Sequence, residues 1–439
     1  MRRRHRVPGA PGKAGAVEVI PALPGTPRLE RLSNGLTVCL VENHQAPIVT
    51  SALFYRAGTR DEPAGHGGVA HFLEHMMFKG SARYGPGEID RRTQALGGTN
   101  NAFTSHDATG YYFNFAADRW TEALEIEADR MAALTLDPEQ VASERQVILE
   151  EIAMYDSEPW DALETEVQAR LFPTHPYGRP VLGTKEELNA TGPEELAAFH
   201  CSLYRPDNGI LVVAGDVGAS VLDEVDRVVG RLPSGGPALR PEFTAPATPD
   251  TLVRVERRKG ETARLLLALP APPGSHPDHP VLKLLVTLLA GSRTSRLQRE
   301  LVDEGQLCSW VAADLSESFD ASQITVAAEV VPGVEPARVE AEVLRLLAEV
   351  LAEPPAEAEV ERARQIATAD WVFGHERVHQ QALSAGLALA VFDLEHLDRH
   401  LRGLMEAGAD RLLEVASRTL RPERGGVLGW SLPRVEAEA

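Results

Sequence analysis

The spacing of apolar and polar positions changes several times along this chain, and each change marks an element. Residues 36–42 and 48–55 are short, mostly apolar runs rich in β-branched and aromatic side chains, which predicts two strands, with Asn34-Gly35 as a hairpin turn before them. Residues 68–78 form an apolar stretch compatible with a helix. Asn101 to Thr104 reads as extended after Gly97-Gly98, and the run Tyr111 to Phe115 predicts the strand that follows. In residues 138–157, Val141, Ile148 and Ile152, with Val147 beside them, recur at helical spacing and predict a helix with one buried stripe.

The same order of elements occurs twice. Tyr204-Arg205-Pro206 followed by the apolar run Ile210 to Ala214 closes the first half, and Leu420-Arg421-Pro422 followed by Val427 to Trp430 closes the second, 216 positions later. Both read as helix, turn and buried strand. Nearly the same offset pairs Glu144-Arg145 with Glu361-Arg362 and Glu151 with Thr368. A repeat this long is a duplicated domain rather than a solenoid. The expected organisation is a tail over 1–27, an N-terminal domain over 28–230, a Pro/Gly-rich linker over 231–250, a homologous C-terminal domain over 251–432 and a short tail over 433–439. Each half runs strand, strand, helix, helix, strand, strand, several helices and a last strand. The expected class is α+β, each half a mostly antiparallel sheet with helices largely on one face.

The chemistry concentrates in His71-Phe72-Leu73-Glu74-His75. Residues four apart share a helix face about 5 to 6 Å apart, so both imidazoles reach one metal while Glu74 projects beside them. A catalytic zinc takes three protein ligands and keeps one position for water, with a carboxylate nearby to accept that water's proton. This order inverts the commoner His-Glu-x-x-His arrangement. The competing reading is a helix with incidental histidines.

The third ligand is sought in the carboxylate-rich helix 138–157. Glu144 and Glu151 are seven apart and share a face, whereas Glu150 is rotated off it by about 100°. Glu151 is therefore assigned as the third ligand, Glu144 as an acceptor orienting a ligand histidine, and Glu150 as more solvated. The alternative is three ordinary surface carboxylates.

With these residues in view, the chain resembles the inverted-motif zinc peptidases of the pitrilysin and mitochondrial processing peptidase group. Phe78-Lys79-Gly80, the segment Gly97 to Ser105 and the segment Tyr177 to Thr184 resemble that family too, and the likeness runs over roughly residues 28–432. The resemblance implies one zinc per chain, and peptide substrates held along an extended segment with Asn101 and Ala102 near the scissile bond. From the residues alone the same segment is a plain hairpin. It also implies an arginine and a tyrosine in the second half that bind substrate near the metal. Arg296 matches the first, but residues 305–311 offer no tyrosine, and Arg296 reads equally as a helix-terminal salt-bridge residue. The family often encloses substrate between two such chains, so the expected assembly is a dimer, with a related partner supplying the missing pair or with a second copy using Arg296 alone.

At 439 residues the chain is too long for one ordinary core. No uninterrupted apolar run approaches 18 residues, which argues against a membrane span. The formal net charge of −20 argues against nucleic acid as partner. Ten of the acidic residues fall between Asp137 and Ala169 against one base, Arg145; this is either a solvated helix face or a wall that attracts basic peptide segments. Cys39, Cys201 and Cys308 lie far apart in apolar contexts and read as reduced core residues of a cytoplasmic protein. The basic start, Met1 to Arg6, is followed by Pro, Gly and Ala rather than an apolar core, unlike a secretory signal; a transit peptide is the minor alternative. His66, His106 and His175 have no partner at ligand spacing and read as loop or cap residues, and Arg179 is given no catalytic role. The function expected is a zinc-dependent endopeptidase acting on peptides or unstructured protein segments; the alternative is a noncatalytic assembly subunit of the same fold.

Overall fold

The computed structural model describes residues 27–236, 238, 240–244 and 246–434. The first half opens with strands β1 (Arg28–Arg31), β2 (Thr37–Glu42) and β3 (Ile48–Tyr55), then helices α1 (Val69–Met76) and α2 (Glu88–Ala95). Strands β4 (Thr99–Thr104) and β5 (Thr109–Ala116) follow. Helices α3 (Thr121–Ala133), α4 (Pro138–Ser157), α5 (Pro159–Leu171), α6 (Lys185–Ala190) and α7 (Pro193–Leu203) lead to β6 (Gly209–Gly215) and α8 (Val221–Val228).

The second half repeats the plan with β7 (Leu252–Arg258), β8 (Arg264–Ala271), α9 (His279–Ala290), β9 (Cys308–Leu315) and β10 (Ser322–Val330). Helices α10 (Pro336–Val350), α11 (Glu357–Gly374), α12 (Val378–Val391), α13 (Glu395–Glu406) and α14 (Ala409–Thr419) precede the last strand, β11 (Gly426–Leu432). The expected tails lie outside the described residues apart from Pro27, Pro433 and Arg434.

Two mixed sheets result, ordered β1-β2-β6-β3-β5-β4 and β7-β11-β8-β10-β9. The closing strand of each half inserts beside an opening strand and runs parallel to it, β6 to β2 and β11 to β7, while the remaining pairs are antiparallel. The α+β class stands. Among the described residues no helix is long and apolar enough to cross a membrane.

The sheets are covered on both faces, and the second face is covered by exchange. Alternate residues of the central strands, Val38, Leu40, Val49, Leu53, Leu211 and Val213, join the core beneath α1 and α4. The residues between them, Cys39, Ala52, Phe54, Ile210 and Val212, pack against Val378, Ala382, Ala385 and Leu389 of α12, a helix of the second half. In return α5 of the first half sets Leu163, Val167 and Leu171 against Leu266, Ala268 and Val427 of the second sheet. Burial on both faces is why these strands are continuous apolar runs rather than alternating ones. Helices do crowd one face of each sheet; among the described residues the helix on the other face comes from the opposite half.

Two close approaches seat the exchanged helices. A Cβ at Gly386 of α12 would stand 1.9 Å from the Phe54 ring, and one at Gly429 of β11 would stand 2.5 Å from Val167. The linker is pinned as well: Arg240 makes two hydrogen bonds to the buried Asp61 carboxylate, at 2.9 and 2.8 Å, and one to the Asp107 carbonyl at 3.1 Å. Asp107 accepts from Tyr177 Oη at 2.6 Å and from the Phe319 amide at 3.0 Å, joining the halves across their seam.

Two expectations need correction. Val147 is 45% exposed, because position 147 turns away from the stripe of Val141, Ile148 and Ile152, whose remaining buried member is Glu144. Cys201 is exposed on α7, while Cys39 and Cys308 are buried as free thiols. Alanine at Gly386 favours the helix by about 1 kcal/mol but overpacks Phe54, and overpacking costs typically ~1–3 kcal/mol. Gly386→Val adds two further methyl groups and β-branching, so it is expected to lower the urea midpoint clearly without changing the slope; an unchanged midpoint would show that α12 is not seated on Phe54.

Candidate active site

Helix α1 begins against a half-buried carboxylate. Glu62 Oε1 accepts the amides of Gly68 and Ala70, both at 3.0 Å, satisfying donors that the first turn leaves unpaired. Val69, Ala70, Phe72, Leu73 and Met76 bury the inner face, and this fixes the phase at which the remaining residues emerge. His71, His75 and Glu74 follow from that phase.

Helix α4 crosses α1 and brings Glu151 to the imidazoles. Glu151 Oε2 lies 4.0 Å from His71 Nε2 and 3.7 Å from His75 Nε2. One ligand atom from each of the three residues falls within 4.8 Å of the others. Tetrahedral zinc with bonds of about 2.0–2.2 Å spaces its ligand atoms about 3.3 Å apart, so small side-chain adjustments close the set around an ion.

The nitrogens are prepared for ligation. His75 Nδ1 and Glu144 Oε1 are 2.8 Å apart; with the proton on Nδ1, the lone pair of Nε2 faces Glu151. Burial, with the neighbouring His75 ring, pushes His71 down to about 3, so its imidazole is neutral. Burial alone would raise Glu144, but hydrogen bonds from His75 and Lys79 outweigh it and hold the carboxyl below the usual range. Lys79 Nζ sits 2.6 Å from Glu144. Two imidazoles and two carboxylates, one in contact with the rings and one behind them, are a donor set suited to zinc.

Glu74 stands apart from the three. Its Oε2 accepts the Thr104 hydroxyl at 2.5 Å, and burial raises its pKa. Beneath it, Arg130 and Glu127 form a fully buried ion pair with Nε to Oε2 at 2.8 Å, and the Arg130 guanidinium lies 4.3 Å over the Tyr111 ring. The field of Arg130 opposes the rise at Glu74.

These groups open on a cleft of about 540 Å³, lined by His71, Glu74, His75, Glu151, the β4 residues Ala102 to Thr104 and the segment Pro180 to Gly183. Asp156, Asp161 and Glu164 of the acidic stretch line it too. Among the described residues strand β4 pairs only with β5 and is the outer strand of its sheet, and its residues Ala102 to Thr104 border the cleft.

Ala102 lines the cleft; Asn101 is exposed beside it, its Oδ1 accepting the Ala102 amide at 2.9 Å. Glu150 is exposed. Arg296 is not brought to the cleft: it forms a bidentate pair with Glu359 in the first turn of α11, at 3.1 and 2.9 Å, which is the salt-bridge reading. His66 meets the Thr191 hydroxyl at 3.3 Å, His106 meets that of Thr59 at 2.6 Å, and His175 accepts the Tyr177 amide at 3.2 Å, all in loop-holding roles.

Sequence reasoning missed Glu62, Lys79 and Thr104 as parts of the site. Lys79 lies four positions beyond His75, the same interval that joins the histidines. Nothing local marks Glu62 or the bond from Thr104 to Glu74, since both depend on how distant segments pack.

Residues 37–185 match the family described as Insulinase (Peptidase family M16), and residues 192–367 match Peptidase M16 inactive domain. An uncharacterized zinc protease of Mycobacterium leprae is 34% identical over 73% of this chain and 72% of its own length. The uncharacterized zinc protease YmxG of Bacillus subtilis is 30% identical over 67% and 71%. The crystal structure of a protease from Helicobacter pylori superposes with a TM-score of 0.89 at 25% identity, over 94% of this chain and all of that one.

The carboxylates of α4 should separate by experiment. In zinc titrations against a competing chelator, Glu151→Gln is expected to weaken binding severely, Glu144→Gln by about 10–100-fold, and Glu150→Gln hardly at all. Comparable losses at Glu150 and Glu151 would overturn the helix phase on which the site rests.

Proposed function

The chain belongs to the M16 family of peptidases, and from that premise we propose that it is a zinc-dependent endopeptidase centred on His71, His75 and Glu151, with Glu74 as general base. The observation that carries this reading is the division between carboxylates: Glu151 lies with both imidazoles, while Glu74 faces the same cleft from the hold of Thr104. A zinc ion in that set would supply Lewis-acid activation of water and of the scissile carbonyl.

The chain's own residues account for the rest. Glu74, its pKa raised by burial, takes a proton from the attacking water and returns it to the leaving nitrogen. The Thr104 hydroxyl fixes the orientation of Glu74, and Glu144 holds His75 in its ligating tautomer. The outer edge of β4 binds an extended peptide through main-chain hydrogen bonds, a mode largely indifferent to sequence. Pairing along β4 needs a segment whose own main chain is free on the facing side and extended, which peptides and unstructured segments offer most readily.

Glu74→Gln is expected to retain about one equivalent of zinc at His71, His75 and Glu151 while losing nearly all peptide hydrolysis, measured on one preparation. Wild-type turnover in that variant would remove Glu74 from the chemistry. A parent chain that holds zinc but cuts no member of a peptide library would instead be a noncatalytic assembly subunit.

The acidic lining supports a preference for basic segments, because Asp156, Asp161 and Glu164 face the cleft and among the described residues neither Lys nor Arg lines it. Screening shortens from about 10 Å at 0.1 M to about 3 Å at 1 M salt. Cleavage of a Lys-rich peptide should therefore fall several-fold over that range while a neutral peptide is little affected, and Asp161→Asn with Glu164→Gln should flatten the difference. Equal salt dependence of both peptides in the parent chain would leave the acidic stretch a solvated face.

A further inference from the structure

The second half contains a donor cluster that the peptidase chemistry does not use. His279 opens α9, Glu317 lies in the loop between β9 and β10, and His396 and His400 are four apart on α13. One ligand atom each from His279, Glu317 and His400 falls within 4.8 Å of the others. Glu317 Oε1 is 3.8 Å from His279 Nδ1 and 3.9 Å from His400 Nδ1, spacings like those between Glu151 and the imidazoles of the first site.

Buried, unpartnered ring nitrogens point to an occupant. His279 is 2% exposed, and its Nε2 lies 3.1 Å from the Ser316 carbonyl, which can only accept; the proton is therefore on Nε2 and Nδ1 carries a free lone pair. That Nδ1 has no hydrogen-bond partner, and neither has His400 Nδ1, although both are buried. Unpaired buried polar atoms are costly, and two beside one carboxylate are accounted for together by a single cation. His396 Nε2 lies 2.6 Å from Glu317 Oε1 and positions the carboxylate, as outer-layer partners of metal ligands commonly do. A cavity of about 500 Å³ is bordered by Glu317, His396 and His400.

We propose that His279, Glu317 and His400, with His396 as positioning residue, form a second binding site for a divalent cation of the zinc class. Imidazole and carboxylate donors suit zinc and its first-row neighbours rather than magnesium or calcium. An ion there ties together α9, the β9–β10 loop and α13, three segments of the C-terminal half remote from one another in sequence.

The test counts metal in the full chain. Chelator-stripped protein is equilibrated with zinc, passed through a desalting column and analysed by mass spectrometry for zinc per chain, with thermal melting of each sample before and after reloading. The parent is expected to hold two ions; His71→Gln with His75→Gln should hold one and still gain melting temperature on adding zinc, and His279→Gln with His400→Gln should hold one and keep peptidase activity. The proposal is overturned if the His71/His75 variant, melting cooperatively, holds no zinc and gains no stability, or if a folded His279/His400 variant still holds two. Should the His279/His400 variant fail to fold, the milder Glu317→Gln replaces it, judged by loss of the second equivalent in the His71/His75 background. The first site fails separately, since a single ion that survives His71→Gln and His75→Gln but not His400→Gln would leave the second site alone standing.

Discussion

One buried carboxylate ties the two helices that must meet for the proposed zinc site to form. Glu144 is 5% exposed and sits between His75 at 2.8 Å and Lys79 at 2.6 Å, so α4 is held against α1 by charge as well as by packing. Glu151 lies two turns further along α4, and its distance from both imidazoles is set by that contact. Burying a carboxylate is costly, and removing one partner of a buried pair typically costs about 3–5 kcal/mol. The favourable pairing is visible in the charge state of Glu144, since the bonds from His75 and Lys79 outweigh the burial that opposes them. Alignment of the site and stability of the helix pair are therefore one property.

The parts of the site that could be read from sequence are those whose geometry a single helix dictates. His71, Glu74 and His75 share one short helix, and Glu144 and Glu151 share a face because seven residues make nearly two turns. The distance between those two helices has no local signature; it required the assumption that both carboxylates faced inward. Arg130 and Glu127 show the opposite limit, because a charged pair three apart on a helix reads as surface, yet here it lies under the aromatic rings of Phe78, Tyr111 and Phe113. Val147 failed for the same reason in reverse, an apolar residue one step outside the buried arc.

The duplication explains the fold better than it explains the chemistry. Residues Glu361 and Thr368 lie on α11, the counterpart of α4, and Thr368 there meets Met405 Sδ at 3.4 Å rather than any histidine. The donor cluster of the second half does not repeat the first site: His279 lies on α9, the counterpart of α1, but His396 and His400 belong to α13. Their spacing, two histidines four apart, was visible in the sequence. Their partners His279 and Glu317 were not, being distant in sequence and joined to them by tertiary packing.

The exchange of α5 and α12 has a bearing on how the chain comes to be folded. During vectorial synthesis the first sheet is complete once residue 215 has emerged, but the helix that covers Ala52, Phe54, Ile210 and Val212 begins only at Val378. Until then a nascent first half carries a bare apolar sheet face and an α5 with no seat, the kind of surface that recruits chaperones or drives aggregation. The two halves are thus separable as a gene duplication but not as folding units, and β11, made long after α5, completes the seat that α5 has waited for since early in translation.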